Sequence, residues 1–189
     1  AQALSPSAFE AAANETGAVV LDTRGAQLFS KGFIPNSINI GLGGQFAPWV
    51  GALIPDVKQE LLLVTEKGKA QESILRLARV GYDNVIGFLE GGFDAWRESG
   101  NEVDEISSIS ADELASRLEK DKNLPIIDVR KPSEFAAEHV DGAKNLPLDN
   151  INDLMAEFPK NETMYIHCAG GYRSMMAASI LKSRGYDNP

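Results

Sequence analysis

The run Cys168-Ala169-Gly170-Gly171-Tyr172-Arg173-Ser174 holds the one cysteine of the chain, and its composition suits a thiolate nucleophile. Two glycines permit a tight turn, and a helix start behind them can direct several backbone N–H groups toward one point. The helix dipole adds positive potential there, and Arg173 follows closely. Such surroundings favour the thiolate, the form in which a cysteine attacks. The plain alternative is a small buried hydrophobe at a strand end, as lone cysteines often are. A structural cysteine has no use for the glycines, the arginine and the helix start together, so the nucleophile is the preferred reading.

Two elements must place this loop. Residues 163–167, β-branched and aromatic, read as a short buried strand, and 174–183 carry helical periodicity. Cys168 then falls where strand becomes helix, at a strand's carboxyl end. His167 precedes it directly, but consecutive strand residues point to opposite faces, so the imidazole is expected to project away. Tyr172 either shapes the loop entrance or is a surface aromatic.

The chain has 189 residues, 43% of them hydrophobic, which allows one large or two small domains with real cores. No apolar run approaches a membrane span, and the opening Ala1-Gln2-Ala3-Leu4-Ser5-Pro6 lacks the regions of a signal peptide. One cysteine excludes an intrachain disulfide and fits a reducing, cytoplasmic setting. The chain starts without Met, as an excised segment would. A net charge of −9 argues against nucleic acid or an anionic membrane as a general partner. Between residues 160 and 184, four basic residues (Lys160, Arg173, Lys182, Arg184) stand against Glu162, a local balance of +3. That end either attracts a small anion or presents a solvated basic helix face.

An internal repeat sets the architecture. Leu21-Asp22-Thr23-Arg24 recurs as Ile127-Asp128-Val129-Arg130, 106 positions on, and the match continues through Phe29/Phe135 and Asn39/Asn145. Leu77-Ala78-Arg79-Val80-Gly81-Tyr82-Asp83-Asn84 recurs as Leu181-Lys182-Ser183-Arg184-Gly185-Tyr186-Asp187-Asn188 at an offset of 104. Two homologous domains follow, 1–100 and 101–189, joined near Gly100-Asn101-Glu102-Val103-Asp104-Glu105. The first is expected to run: helix from the Ser5-Pro6 cap, strand 18–22, short helix 27–31, strand 37–40, helical stretch 46–54, strand 61–65, helix 70–80, strand 84–89, helix 93–98. The second opens with a capping box at Ser110-Ala111-Asp112-Glu113 and repeats the order with strands near 125–129, 143–146 and 163–167. Alternating strands and helices predict α/β domains with mostly parallel sheets covered on both faces, and sites at the strands' carboxyl ends.

The first domain serves as an internal control. The offset of 104 places Val64 opposite Cys168, Glu66 and Lys67 opposite the two glycines, and Lys69 opposite Arg173. By that alignment the first domain lacks nucleophile and glycines and is catalytically silent, with Thr65 a strand-end residue because no base neighbours it. Asp128 and Arg130 persist in the silent domain as Asp22 and Arg24, so they are read as structural residues near the site. His139 is replaced there by Phe33 and is set aside.

At these residues the chain resembles the rhodanese family of sulfurtransferases, through Asp128-Val129-Arg130, Glu134-Phe135, residues 139–145 and the loop Cys168–Arg173. Leu89-Glu90-Gly91-Gly92-Phe93-Asp94-Ala95-Trp96 resembles the family's closing strand and helix. Residues 32–41 with Gln45-Phe46-Ala47-Pro48-Trp49-Val50-Gly51 resemble the rhodanese pair that follows a metallo-β-lactamase-fold hydrolase in some bacterial proteins. The resemblance implies transfer of sulfane sulfur from thiosulfate or a persulfide, through a Cys168 persulfide, to a thiol or cyanide. It implies no cofactor, and with two histidines and no clustered His-x-His motif no such metal site is expected. The loop amides from Ala169 to Ser174 would hold the charged sulfur, with Arg173 as anion clamp or loop anchor and Ser174 as helix-start hydroxyl.

Two other functions stand beside this one. A sulfur carrier or regulatory docking module of a larger hydrolase would take sulfur from a specific partner. A Cys-dependent phosphatase or arsenate reductase shares the thiolate and arginine, but such families have five residues between them where this loop has four. The second domain also holds nothing corresponding to residues 85–100, so its closing strand is expected from residues beyond Pro189 or from another chain.

Overall fold

Four consecutive apolar residues, Leu61 to Val64, are wholly buried, as a strand covered on both faces requires. They form β4 (Leu61–Val64), the centre of a five-stranded sheet in a computed structural model that describes residues 1–189. The chain divides into two units, Ala1–Glu105 and Ile106–Pro189.

In the first unit the strand order is β1 (Gln2–Leu4), β5 (Val85–Leu89), β4, β2 (Val19–Asp22), β3 (Ile38–Asn39), and every pairing is parallel. The helices are α1 (Pro6–Glu15), α2 (Ala26–Lys31), α3 (Phe46–Leu53), α4 (Ala70–Ala78) and α5 (Gly92–Glu98). Ser5 caps α1 by accepting the Ala8 N–H at 3.2 Å, with Pro6 at the first helical position. Phe9 of α1 and Trp96 of α5 meet edge to face at 6.2 Å within a cluster completed by Val20, Ile34, Leu62, Val64, Leu89 and Phe93. β1, which is not among the elements expected of the sequence, is an edge strand. A side chain at Gly87 of β5 would strike Leu4, so that glycine admits the edge strand.

Residues after Gly100 pack with the first unit. Trp96 Nε1 donates to the Glu102 carbonyl at 2.8 Å, and Phe33 and Asp104 exchange backbone hydrogen bonds of 2.9 Å in each direction. These bonds satisfy backbone groups that a free linker would leave to water.

The second unit has a three-stranded parallel sheet, β7 (Lys144–Asn145), β6 (Ile126–Asp128), β8 (Tyr165–His167). Its helices are α6 (Ala111–Lys120), α7 (Pro132–Ala137), α8 (Ile151–Leu154) and α9 (Tyr172–Ser183). Ser110 caps α6 by accepting the Glu113 N–H at 3.1 Å. Residues Met175 to Leu181 of α9 are all buried, so this helix is the inner element of the unit. β8 pairs with β6 alone, whereas its counterpart β4 has a neighbour on each side. No helix of the chain is long and apolar enough to cross a membrane.

Candidate active site

Strand register corrects the alignment of the two units. Asp22 lies opposite Val64, and Asp128 opposite His167. The Thr23 N–H donates to the Val64 carbonyl as the Val129 N–H donates to that of His167, 2.9 and 3.0 Å. Thr65, not Val64, therefore occupies the position of Cys168. The loops then match through Gly68 and Gly171, both left-handed at φ +78° and +86°, so the first unit keeps the turn glycine it was expected to lack. Beyond this point the second unit carries one extra residue in its helix, which restores the offset seen at the Gly-Tyr-Asp-Asn runs. The same shift sets Ala70, in place of Lys69, opposite Arg173.

In the second unit β8 ends at His167, and Cys168 is the first residue past the strand. The chain turns through Ala169 and Gly170 to Gly171, whose left-handed conformation caps α9. This turn brings two amides to the sulfur: Gly171 N–H at 3.1 Å and Ser174 N–H at 3.3 Å from Sγ. The thiol donates to Ser174 Oγ at 3.4 Å, and that hydroxyl donates to the Gly171 carbonyl at 3.2 Å. On ionisation the hydroxyl can rotate to donate to the sulfur, giving a third bond to the charge. Cys168 is 7% exposed, whereas Ala169, Gly170 and Gly171 are exposed, so the sulfur lies at the base of an accessible loop. Tyr172, half-buried, begins the helix.

Arg173 turns to α7 and forms a two-pronged pair with Glu134, 2.7 and 3.1 Å. Those hydrogen bonds hold the Glu134 carboxyl at a pKa of about 2. Of the two expected roles, loop anchor is the one this geometry displays. The guanidiniums of Arg173 and Arg130 both lie within electrostatic reach of Cys168, each paired with a carboxylate, Glu134 and Asp128. In the sequence Glu134 stands out only as part of the Glu134-Phe135 pair. Its link to Arg173 spans 39 positions, and the one trace of it is that the first unit changes both residues, having Leu28 in place of Glu134.

Asp128 is fully buried and accepts from the Arg130 backbone N–H, Nε and a terminal guanidinium nitrogen at 2.8–3.1 Å. Burial pushes its carboxyl up, but the hydrogen bonds and charge of Arg130 outweigh it and leave Asp128 below the usual carboxylate range. Arg130 also donates to the Glu138 carbonyl at 2.7 Å. The first unit repeats this arrangement with Asp22, Arg24 and the Gly32 carbonyl. Asn145 and Asn39 repeat too, each bridging the carbonyls of its Asp and Arg. Asp128 and Arg130 thus fix the strand end beside the loop. His139 stacks on Phe135 with ring centres 3.8 Å apart, and His167 makes no hydrogen bond to the sulfur.

The sequence profile of the Rhodanese-like domain matches residues 5–99 and again 110–189. The chain belongs to the rhodanese-like domain family, with two domains of that kind. Among curated relatives, the "Putative sulfur carrier protein YrkF" of Bacillus subtilis is 31% identical over 99 residues, covering 52% of this chain and 52% of that protein. The "Thiosulfate sulfurtransferase PspE" of Escherichia coli is 40% identical over 62 residues, 32% of this chain and 60% of that protein. The chain thus spans only about half of these relatives' lengths. A rhodanese-like domain from Anabaena sp., solved by NMR, superposes with a TM-score of 0.50 at 14% identity over 59% of this chain and 87% of that one, a likeness of fold.

Proposed function

We propose that the chain is a sulfurtransferase in which Cys168 carries the sulfur. The observation that supports this best is the pair of loop amides that donate to Sγ, with the Ser174 hydroxyl beside them accepting from the thiol and free to turn and donate once the sulfur is charged. The Cys168 thiolate attacks the outer sulfur of thiosulfate; a new S–S bond forms, the old one breaks, and sulfite leaves with its electron pair. With a persulfide donor the leaving group is a thiolate. A thiol or cyanide then attacks the terminal sulfur, taking it away and returning the Cys168 thiolate. Gly170 and Gly171 give the donor access to the sulfur, and Ala169 and Tyr172 flank its approach. No cofactor is required, and a reducing compartment such as the cytoplasm would keep the single thiol available.

The test is thiocyanate formation from thiosulfate and cyanide, with Cys168→Ser and an aryl phosphate as controls. Turnover lost in the serine variant, with the phosphate untouched, is the expected result. Aryl phosphate hydrolysis would support the phosphatase reading, which the engagement of Arg173 by Glu134 disfavours, since an oxyanion clamp needs a free guanidinium. The likeness to a protein named as a sulfur carrier supports a second reading. In it the chain is a module of a larger metallo-β-lactamase-fold hydrolase, Cys168 accepts sulfur from a specific partner, and free thiosulfate turns over poorly.

A further inference from the structure

The first unit has an open pocket of about 580 Å³ at the carboxyl ends of β4 and β5. It lies at the position that the active-site loop holds in the second unit. Thr65, which stands in the place of Cys168, lines it; the residue is 9% exposed, and its hydroxyl has no hydrogen-bond partner in the chain. Gly68 repeats the left-handed turn of Gly171, but no loop amide bonds the Thr65 hydroxyl as the Gly171 and Ser174 amides bond the sulfur. An alcohol at this position does not carry sulfane sulfur, because it supplies no nucleophilic anion at neutral pH.

The charges around the pocket are of both signs, and only some of them are paired. Arg24 lines it but is neutralised by Asp22 at 2.8 Å, and Lys69 nearby pairs with Glu72 at 3.5 Å. Lys67, Glu66 and Asp94 line the pocket, are exposed, and have no ion-pair partner. Leu28, Phe88 and Phe93 form an apolar wall. Leu28 is 48% exposed and occupies the place that Glu134 holds in the second unit. Two unpaired carboxylates beside one unpaired ammonium disfavour a simple anion; Lys67 and the loop amides disfavour a simple cation. The volume lies in the range of small-molecule sites, roughly 300–1,000 Å³.

We propose that this pocket binds a small zwitterion of the α-amino-acid class with an apolar side chain. Its carboxylate meets Lys67 and the 65–68 loop, its ammonium meets Asp94 and Glu66, and its side chain lies against Leu28, Phe88 and Phe93. The unit thereby recognises a ligand without transferring sulfur. This inference goes beyond the function proposed above and does not depend on it.

The test is titration of the ¹⁵N-labelled whole chain with L-methionine, read by amide chemical shifts, with butanoate and n-butylamine as single-charge controls. Saturable shifts at Thr65, Lys67, Gly68 and Gly92, larger than with either control, are expected. Lys67→Gln and Asp94→Asn should each weaken binding by about threefold to fivefold, as partly exposed ion pairs do. Thr65→Val, which keeps the shape and removes the hydroxyl, should weaken it about fivefold. Cys168→Ser should bind as the wild type does, which separates this result from the fate of the sulfurtransferase reading. Absence of saturation at tens of millimolar, shifts confined to the second unit, or an equal response to a control overturns the proposal. If Thr65→Val does not fold, the two exposed variants decide, and unchanged affinity in both overturns it.

Discussion

Gly171→Ala and Gly68→Ala form a matched pair that separates the cost of a strained turn from the loss of a donor to sulfur. Both glycines lie in the left-handed region, and a Cβ added at either meets nothing within 4 Å. The penalty is then confined to the backbone, about 1–2 kcal/mol at each site. For domains of this size that lowers the melting temperature by roughly 4–8 °C per kcal/mol. Only Gly171 presents its N–H to Sγ, at 3.1 Å. Complete loss of one oriented donor slows a reaction by about 100- to 1,000-fold, and an amide rotated only part of the way should retain some of that. Gly171→Ala is therefore expected to load sulfur at least about tenfold more slowly, while Gly68→Ala loads at the wild-type rate with a similar fall in stability. The assay is acid quench of a thiosulfate reaction, followed by mass spectrometry of the Cys168 peptide, alongside thermal denaturation of both variants. Loading by Gly171→Ala at the wild-type rate, despite a lowered melting temperature, would refute the role given to the loop amides. Equal slowing in both variants would trace the effect to general loosening.

Ser174→Ala removes the hydroxyl near the sulfur and keeps the amide, so quench-flow should show sulfur loading slowed several-fold with little change in melting temperature. Glu134 has its pKa lowered from 4.5 to about 2 by Arg173, so the pair stabilises the folded state above pH 4.5 and loses that effect as the pH falls through about 2. The melting-temperature gap between wild type and Glu134→Gln should be constant above this window and shrink across it on acidification. Asp22→Ala leaves the Arg24 guanidinium, in a residue 7% exposed, without its partner, and urea denaturation should show a loss of about 3–5 kcal/mol.

Much of the architecture was legible because its signals are local. Ser5 followed by Pro6, and Ser110 before Glu113, marked two helix starts that the structure caps with those serines. The buried run of leucines marked β4. β1 was hidden because three edge residues carry no periodicity, and its place shows only through the space left by Gly87. The repeat offset misplaces Thr65 by one residue because the nearest anchor, the Gly-Tyr-Asp-Asn run, lies beyond a one-residue insertion in the helix. Hydrogen-bonded strand register settles what a repeat offset leaves ambiguous, since a slip of one residue exchanges the faces of a strand. The engagement of Arg173 by Glu134 had no local signal, being a contact between separate helices. Only the joint replacement of both residues in the first unit hinted at it.

Whether Cys168 carries the transferred sulfur is decided by mass spectrometry of the intact chain and its peptides after exposure to thiosulfate, then after addition of cyanide. One added sulfur atom located on Cys168, removed by cyanide and absent from Cys168→Ser, is the expected result. A wild-type chain that gains no sulfur from thiosulfate or from a small-molecule persulfide, while its thiol remains reduced and open to alkylation, would contradict it.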